Sequence, residues 1–226
     1  MDKKAGQTMP EKFTTKGKKT RENIMNTAKT LFYNRGYNNT GIQDIAAEAD
    51  VKLGTMTYYF KKKTDLVGEI FNTYFMSLYD RVGEEAGQEA TLFTKYCFTQ
   101  VCLFDAILRD PNNARFYYEI MQKDANRKER LYLIKTFNRS SLDFFNKSYT
   151  EDDLNAYAII NYGAQKELFM DYYDRELPYT EQEMVSYLVR NTFRVLAIDK
   201  ESLDNTMDQA FEFLKTSTTS EIPFLI

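Results

Sequence analysis

The chain has 226 residues, of which 43% are hydrophobic and 28% are charged, and its formal net charge is -3. It is long enough for a small module joined to a larger one, and no apolar run approaches the roughly 20 residues of a membrane helix. The sequence has no histidine, the commonest general base and metal ligand, so we expect a protein without a bound metal or other cofactor.

The charge is divided unevenly along the chain. Residues 1–63 hold 13 Lys and Arg against 6 Asp and Glu, whereas residues 64–226 hold 17 against 27. A basic segment favours a polyanionic partner, because Lys and Arg displace counterions from phosphates. Residues 1–16 are predicted to be a disordered basic tail, whose lysines either contact such a partner or only keep the tail solvated. Residues 1–20 also lack the apolar core of a secretory signal, which favours the cytoplasm.

The first helical pattern runs over residues 18–37. Ile24, Ala28, Leu31 and Phe32 recur at helical spacing, and Gly36 can adopt the left-handed conformation that commonly ends a helix. This helix is expected to cover the helix pair that follows it.

Residues 40–60 have the pattern of two short helices joined by a tight turn. Thr40 is placed to cap the first helix, with Gln43 closing a capping box, and Asp50 tolerates the left-handed conformation that the turn requires. The residues of the second helix that are predicted to pack inward are Val51, Met56 and Phe60.

A longer helix is predicted over residues 64–83, with Thr64 or Asp65 as its cap and a break between Gly83 and Gly87. Three lysines, residues 61–63, precede it, at a position where free backbone N–H groups attract anions. They form either a phosphate-binding site or a loop that its charge keeps soluble.

Further amphipathic patterns occupy residues 90–109, 112–124, 127–147, 152–174, 181–199 and 201–216. The whole pattern predicts an all-α protein of about nine to ten helices, in which residues 17–63 form a three-helix helix-turn-helix domain and residues 64–226 a larger helical domain. Cys97 and Cys102 are too isolated for a CxxC redox pair or a zinc cluster, which predicts buried free thiols.

Two of these patterns, at 154–173 and 184–198, are apolar on more than one side. Such helices either lie at the centre of a helical body or bury one face against a second subunit. The residues assigned to an interface with a second subunit are Tyr157, Tyr162, Gly163, Phe169, Tyr187, Leu188, Phe193 and Leu196.

Aromatic residues are frequent in the middle of the chain. Most are expected to be core residues, although a body rich in Tyr and Phe can also line an apolar pocket for a small apolar or aromatic effector. The residues assigned to such a pocket are Phe71, Tyr74, Phe98, Cys102, Phe116, Tyr117, Met121, Phe137 and Tyr162.

The run from Ala28 to Phe60, A-x-x-L-F-x-x-x-G-Y-x-x-T-G-I-x-D-I-A-A-E-A-D-V-x-x-G-T-M-T-Y-Y-F, is followed by K-x-K-x-D-L. It resembles the N-terminal signature of the tetracycline-repressor (TetR) family. The many fixed spacings make this resemblance strong, but it covers only about the first quarter of the chain.

The resemblance implies a homodimeric repressor of a double-stranded DNA operator, in which a small effector bound by the C-terminal domain changes the separation of two DNA-reading heads. The ligand would lie among the helices at 90–147 and the helix that begins near Thr64, and residues 154–174 and 181–199 would form the dimer interface. The residues that would contact DNA are Thr40, Gln43, Lys52, Leu53, Gly54, Thr55, Thr57, Tyr58, Tyr59 and Lys63.

The sequence departs from the family pattern at a few of these positions. Asp50 stands where glycine is common, and Lys52 and Leu53 stand where a capping serine and a lysine are common. Leu53 is then limited to an apolar contact, for instance with a thymine methyl group. These differences are expected to alter which bases are recognised.

Two other functions remain open from the sequence. One is an enzyme that uses carboxylates such as Asp152, Asp153 or Asp171, although the chain has no G-x-S-x-G elbow, P-loop or dinucleotide fingerprint. The other is a helical protein-interaction module whose helix-turn-helix is only architectural.

Overall fold

A computed structural model describes residues 14–175 and 177–226, which form ten α-helices and one short 3-10 helix without a β-strand in that part of the chain. The predicted all-α fold is confirmed. The helices are α1 Thr15–Arg35, α2 Ile42–Glu48, α3 Leu53–Tyr59, α4 Lys63–Glu85, α5 Leu92–Leu108, α6 Pro111–Gln122, α7 Arg127–Phe144, α8 Glu151–Tyr173, α9 Glu181–Val195 and α10 Lys200–Thr216, followed by the 3-10 helix Thr218–Glu221.

Helix α1 begins at Thr15, inside the segment predicted to be a tail. The Thr14 hydroxyl accepts a hydrogen bond from the backbone N–H of Gly17 at 3.2 Å and so caps the helix. The prediction of a basic tail otherwise concerns residues 1–13, which lie outside the described residues. At the other end, α1 stops at Arg35 because Gly36 has φ 82°, as its type predicts.

The start of α2 corrects the predicted cap. Gly41, not Thr40, is the N-cap residue, and the Asp44 carboxylate, not Gln43, accepts the Gly41 N–H at 2.7 Å. The Thr40 hydroxyl is unavailable because it donates to the Gly36 carbonyl at 2.8 Å inside the protein.

The turn between α2 and α3 follows the prediction. Asp50 has φ 52°, the left-handed conformation expected of it. Met56 and Phe60 are fully buried, and Val51 packs against the same core.

Several later helix ends differ from the sequence patterns. Helix α4 begins at Lys63 and continues through Gly83, so the break comes only at Gly87, which has φ 84°. Helices α7 and α9 stop before the predicted residues 147 and 199. Asn146 and Ala197, both with positive φ, turn the chain there.

Helix α5 lies at the centre of the larger part of the molecule. Nearly all residues from Phe93 to Leu108 are buried, because α4, α6, α7, α9 and α10 all pack against this helix. Cys97 and Cys102, both on α5, are buried free thiols as predicted, and burial raises their pKa to about 12 and about 11.

The segment after α10 docks on this body. Phe224 and Leu225 are 2% exposed, and the Phe224 ring lies 5.0 Å from the rings of Phe71 and Tyr74 and 5.9 Å from that of Phe116. The C-terminal segment therefore places an aromatic side chain between α4 and α6.

Candidate nucleic-acid interface and interior site

Helices α2 and α3 are fixed to each other and to α1 by buried contacts. The Asn23 amide of α1 donates to the Ala49 carbonyl at 2.8 Å, and the Val51 N–H donates to the Ala46 carbonyl at 3.0 Å across the turn. With Met56 buried below, these bonds leave α3 little freedom to rotate. One face of α3 is thereby held at the surface.

That outer face of α3 combines apolar, hydroxyl and aromatic side chains. Leu53 is 45% exposed and Tyr58 is 69% exposed, and Lys52, Gly54 and Thr57 are exposed beside them. Large apolar side chains at the surface of a short helix are typical of a binding surface. We call this face, Lys52 to Tyr58, the α3 face.

Three further residues assigned to DNA border the α3 face. Gln43 is exposed on α2, whereas Thr55 and Tyr59 are half-buried on the flanks of α3. The Tyr59 and Tyr58 rings meet edge to face at 5.1 Å. The Thr57 hydroxyl donates to the Leu53 carbonyl at 3.1 Å, which fixes its rotamer and leaves its oxygen free to accept.

Thr40 and Lys63, which were also assigned to DNA, are engaged within the protein. Thr40 is 1% exposed, and the Lys63 ammonium donates to the Tyr37 carbonyl at 2.7 Å while lying 3.8 Å above the Tyr37 ring. Burial lowers the pKa of Lys63, against the nearby carboxylates of Glu119 and Asp44, which raise it. The arrangement suits these two residues to positioning the helices.

Helix α6 fastens this unit to the rest of the molecule. The Arg115 guanidinium donates to the Tyr33 carbonyl at 2.6 Å, and the Tyr33 hydroxyl donates to the Asp110 carboxylate at 2.9 Å. The Glu119 carboxylate accepts the Asn38 N–H at 2.8 Å. These three polar contacts tie α1, and the loop that follows it, to α6.

Apolar and ionic contacts supplement those bonds. The Phe116 ring of α6 stacks on Phe32 of α1 at 5.2 Å, and an Arg21–Glu69 ion pair joins α1 to α4. A movement of α6 would therefore be transmitted directly to α1.

The nine residues assigned to a ligand pocket are buried, apart from half-buried Phe137, but they do not form one cluster. Phe71, Tyr74 and Phe116 surround Phe224, while Phe98 packs on Phe213 at 4.9 Å. The others fall elsewhere in the interior. Phe137 stacks on Tyr96 at 4.1 Å, and Tyr117 meets Phe169 edge to face at 4.5 Å. The Tyr162 hydroxyl donates to Asp124, Cys102 accepts from Thr219, and Met121 is fully buried.

Sequence reasoning missed a charged residue in this interior. Arg130 of α7 is only 5% exposed, and its guanidinium lies 5.7–6.0 Å from the rings of Phe71, Phe104 and Tyr117. One feature of the sequence does indicate that Arg130 is buried: it precedes the buried residue Ile134 by one helical turn, on the same face of α7.

The eight residues assigned to a dimer interface separate into two groups. Tyr157 and Gly163 of α8 and Tyr187 of α9 lie at least partly at the surface, and Ile159 and Ile160, also on α8, are 53% and 51% exposed. The other five have side chains buried within the protomer: Tyr162, Phe169, Leu188, Phe193 and Leu196. A second copy could contact only the first group in this conformation.

A surface cleft of about 540 Å³ opens between α5, α9 and α10. Asp105, Glu181 and Lys215 are among its lining residues, and none of the nine residues assigned to a pocket borders it. Among the residues that the structure describes, no group of three or more Cys, Asp or Glu side chains is arranged to hold a metal ion.

Comparison with known proteins places the helix-turn-helix unit in a family. Residues 24–70 match the model of the bacterial regulatory proteins of the tetR family. The probable HTH-type transcriptional regulator YttP of Bacillus subtilis (strain 168) is 27% identical over 109 residues, which is 47% of this chain and 52% of that protein. The uncharacterized HTH-type transcriptional regulator YuxN of the same organism is 36% identical over 59 residues, 26% of this chain and 20% of that protein.

The chain thus spans about half of the first relative and a fifth of the second. Solved structures match over a greater length. RolR in complex with resorcinol has a TM-score of 0.60 and 17% identity, covering 86% of this chain and 95% of that one. FadR of Thermus thermophilus in complex with lauroyl-CoA has a TM-score of 0.56 and 17% identity, covering 78% and 93%.

At these identities the structural matches establish the fold, and the family model together with the two regulators accounts for the helix-turn-helix sequence. Residues 24–70 therefore match the helix-turn-helix of the bacterial regulatory proteins of the tetR family, and the rest of the chain is similar to solved members of that fold.

Proposed function

We propose that the protein is a ligand-responsive transcriptional regulator, a repressor that binds a palindromic DNA operator as a homodimer and is released by a small effector. The α3 face carries this proposal, because a short, rigidly held helix presents Leu53, Thr57 and Tyr58 to the outside in a basic part of the chain. Such a face fits the major groove of B-DNA.

Within this proposal the residues divide between base and backbone contacts. Leu53, Gly54, Thr55 and Thr57 face base edges, with Gln43 beside them on α2. Lys52, Tyr58 and Tyr59 contact phosphates, which fix the position of the helix on the duplex. Thr40 and Lys63 support the unit from within, in keeping with their hydrogen bonds to Gly36 and Tyr37.

Two copies are needed to read a palindrome. We assign to the surface that a second copy covers the exposed Ile159 and Ile160 of α8, the half-buried Tyr157 and Gly163 of the same helix, and the exposed Tyr187 of α9. Two α3 faces related by a two-fold axis would then enter successive major grooves about 34–36 Å apart.

The effector is assigned to the helical body, residues 64–226, and the DNA-binding unit to residues 17–63. Two proteins with a similar fold have been solved with small molecules, RolR with resorcinol and FadR with lauroyl-CoA. An effector that prefers a different separation of the two heads lowers operator affinity by linkage.

The protein is proposed to act by binding rather than by catalysis, and in the cytoplasm. The family and the fold are those of transcriptional regulators. None of the helices that the structure describes combines the length and apolarity that a bilayer span would require.

Selection of bound sequences from random duplex DNA tests the proposal. The selected sequences should be palindromic, and affinity for them should fall by roughly 10³–10⁵ between 50 and 200 mM salt if about 6–10 phosphates are contacted. The double variant Thr57→Ala, Tyr58→Phe should lose this binding while melting at the wild-type temperature.

Tyr132→Phe is the matched control, because Tyr132 is 71% exposed but lies on α7, outside the α3 face. Unchanged DNA binding in the double variant, or a flat salt response, would instead favour the protein-interaction module.

A further inference from the structure

Arg130 is a buried cation without an anionic partner among the residues that the structure describes. It is 5% exposed, and one of its terminal nitrogens donates to the Gln165 side-chain oxygen at 2.7 Å. Its Nε atom has no hydrogen-bond partner, and no carboxylate of the described residues lies within ion-pair distance. A guanidinium in this situation keeps its charge, since it cannot be deprotonated in a protein.

The surroundings compensate that charge only in part. The guanidinium carbon lies 5.7 Å from the Tyr117 ring centre and 6.0 Å from those of Phe71 and Phe104, distances at which aromatic rings attract a cation weakly. The Gln165 oxygen is neutral, and the Gln165 amide nitrogen is already used to donate to Thr192 at 3.0 Å. Buried charges are ordinarily paired with an opposite charge, so this site lacks one.

The Asp124 carboxylate, which follows α6, is already paired with other residues. Asp124 accepts hydrogen bonds from Tyr162 and from Lys166, each at 2.9 Å. Those bonds keep the pKa of Asp124 low, with the Lys166 hydrogen bond as the largest cause. Asp124 thus forms an ion pair with Lys166 and leaves Arg130 unmatched.

A second unpartnered donor lies against Arg130. Tyr117 is fully buried, and its hydroxyl has no hydrogen-bond partner, although its ring contacts the guanidinium. Burial raises the pKa of Tyr117 and the Arg130 charge lowers it, so the hydroxyl keeps its proton at neutral pH. Arg130 Nε and the Tyr117 hydroxyl are thus two buried donors without a hydrogen-bond partner, on side chains that contact each other.

We propose that the effector is an organic carboxylate, whose anionic group is bound by the Arg130 guanidinium with the Tyr117 hydroxyl as a second donor. This inference rests on the proposed function, in which the helical body takes an effector. The planar fork of arginine matches the two oxygens of a carboxylate, which makes this pairing stronger than a bond between neutral groups.

The apolar part of the carboxylate lies alongside Phe71. The Phe71 ring is 5.8 Å from Tyr117, on the side of Arg130, and 5.0 Å from Phe224, on the side of the C-terminal segment. The effector therefore takes the space that the Phe224 ring fills in this structure, and binding displaces that ring.

The same contacts connect the site to the DNA-binding unit. Tyr117 belongs to α6, whose Phe116 stacks on Phe32 and whose Glu119 holds the Asn38 N–H. A carboxylate that draws Tyr117 towards α7, and removes Phe224 from beside Phe116, acts on the helix that fastens α1.

Thermal melting with matched ligand pairs tests the charge of the effector. The probes are octanoate against octanamide and 3-phenylpropionate against 3-phenylpropanamide, at millimolar concentration. At least one carboxylate should raise the melting temperature of the wild-type protein while its amide does not. Arg130→Met should abolish that rise, and Lys128→Met, which removes an exposed charge from the same helix, should retain it.

The variants also distinguish a loss of ligand binding from a loss of folding. Arg130→Met should itself melt at or above the wild-type temperature without ligand, because it removes an uncompensated buried charge. Tyr117→Phe should keep the fold and weaken carboxylate binding by roughly 10–100-fold in calorimetry. Phe224→Ala should bind the same carboxylate more tightly than wild type, since it opens the space.

Equal stabilisation by the amides, no stabilisation by any carboxylate, or a response that survives Arg130→Met would overturn the proposal. So would a lower melting temperature of ligand-free Arg130→Met, which indicates a purely structural arginine. Affinity of Phe224→Ala at or below that of wild type would overturn the placement beside Phe71. Selection of duplex DNA by the wild-type protein fails or succeeds independently of these results and decides the proposed function separately.

Discussion

At Gly54, in the α3 face, the residue type is not explained by packing within the protomer. A Cβ atom built there would meet no other atom within 4 Å, and glycine weakens a helix by roughly 1 kcal/mol relative to alanine. Glycine is useful where another backbone or a ligand must approach closely. The neighbouring exposed side chains of Leu53 and Tyr58 indicate the same external contact.

Gly54→Ala separates stability from binding at this position. We expect the variant to unfold at equal or higher denaturant concentration, with a gain of up to about 1 kcal/mol from helix propensity. Its affinity for selected operator DNA should fall at least roughly tenfold, because the methyl group stands between the helix and the groove. Chemical denaturation and a DNA titration measure the two effects, and unaltered affinity would remove Gly54 from the interface.

At the scale of the helices, the sequence predicted which helices form better than it predicted where each one begins and ends. Apolar spacing identified α1 to α10, because burial of one face decides whether a helix forms. The ends of the helices depend on which of several nearby polar side chains forms the capping hydrogen bond. Thr40 was the expected cap of α2, but its hydroxyl is taken by Gly36, and Asp44 closes the box with Gly41.

The two candidate sites also differ in how well the sequence predicted them. The α3 face was predictable because it is local: the buried positions of α3 and of the turn before it determine which side faces out. The interior site around Arg130 was not predictable, since its residues come from α4, α6, α7 and α8 and meet only in the folded protein. Arg130 escaped notice because a charged residue normally marks an exposed position, and only its one-turn spacing from Ile134 indicated otherwise.

The turn after α1 gives a prediction at this scale. Gly36 has φ 82° and ψ 170°, a conformation that essentially only glycine adopts, and an added Cβ would lie 2.7 Å from the Glu119 carboxylate. Gly36→Ala should therefore lower the free energy of unfolding by about 1–3 kcal/mol.

Gly83→Ala is the matched control for that variant. Gly83 lies in α4, its Cβ would meet nothing within 4 Å, and alanine there should add up to about 1 kcal/mol of stability. Urea denaturation of both variants measures the difference. Equal stability of the two would show that neither the backbone conformation nor the Glu119 contact at Gly36 matters.

At the scale of the whole molecule, the C-terminal segment joins parts that are far apart in the sequence. Phe224 lies between α4 and α6, and Thr218 accepts from Arg81 of α4 and donates to Glu85. The segment therefore contributes to the core around Phe71, Tyr74 and Phe116, although it contains no α-helix.

Phe224→Ala should destabilise the free protein by about 3 kcal/mol, because it removes a fully buried aromatic side chain and leaves a cavity. Ile226→Ala serves as the control, since Ile226 is 58% exposed and its truncation should change stability little. Thermal and chemical denaturation compare the two. A cost for Phe224→Ala no greater than that of the control would mean that the segment is not held against the body in solution.

The attachment of α1 to α6 also bears on protein engineering. Exchange of DNA-binding units between related regulators assumes that the unit is portable, but here Phe32, Tyr33 and Asn38 are completed by Phe116, Arg115 and Glu119 from another part of the chain. A chimera that transplants only residues 14–63 onto a foreign body would leave one aromatic face and two backbone groups without their partners. A functional graft has to carry the matching surface of α6 with it.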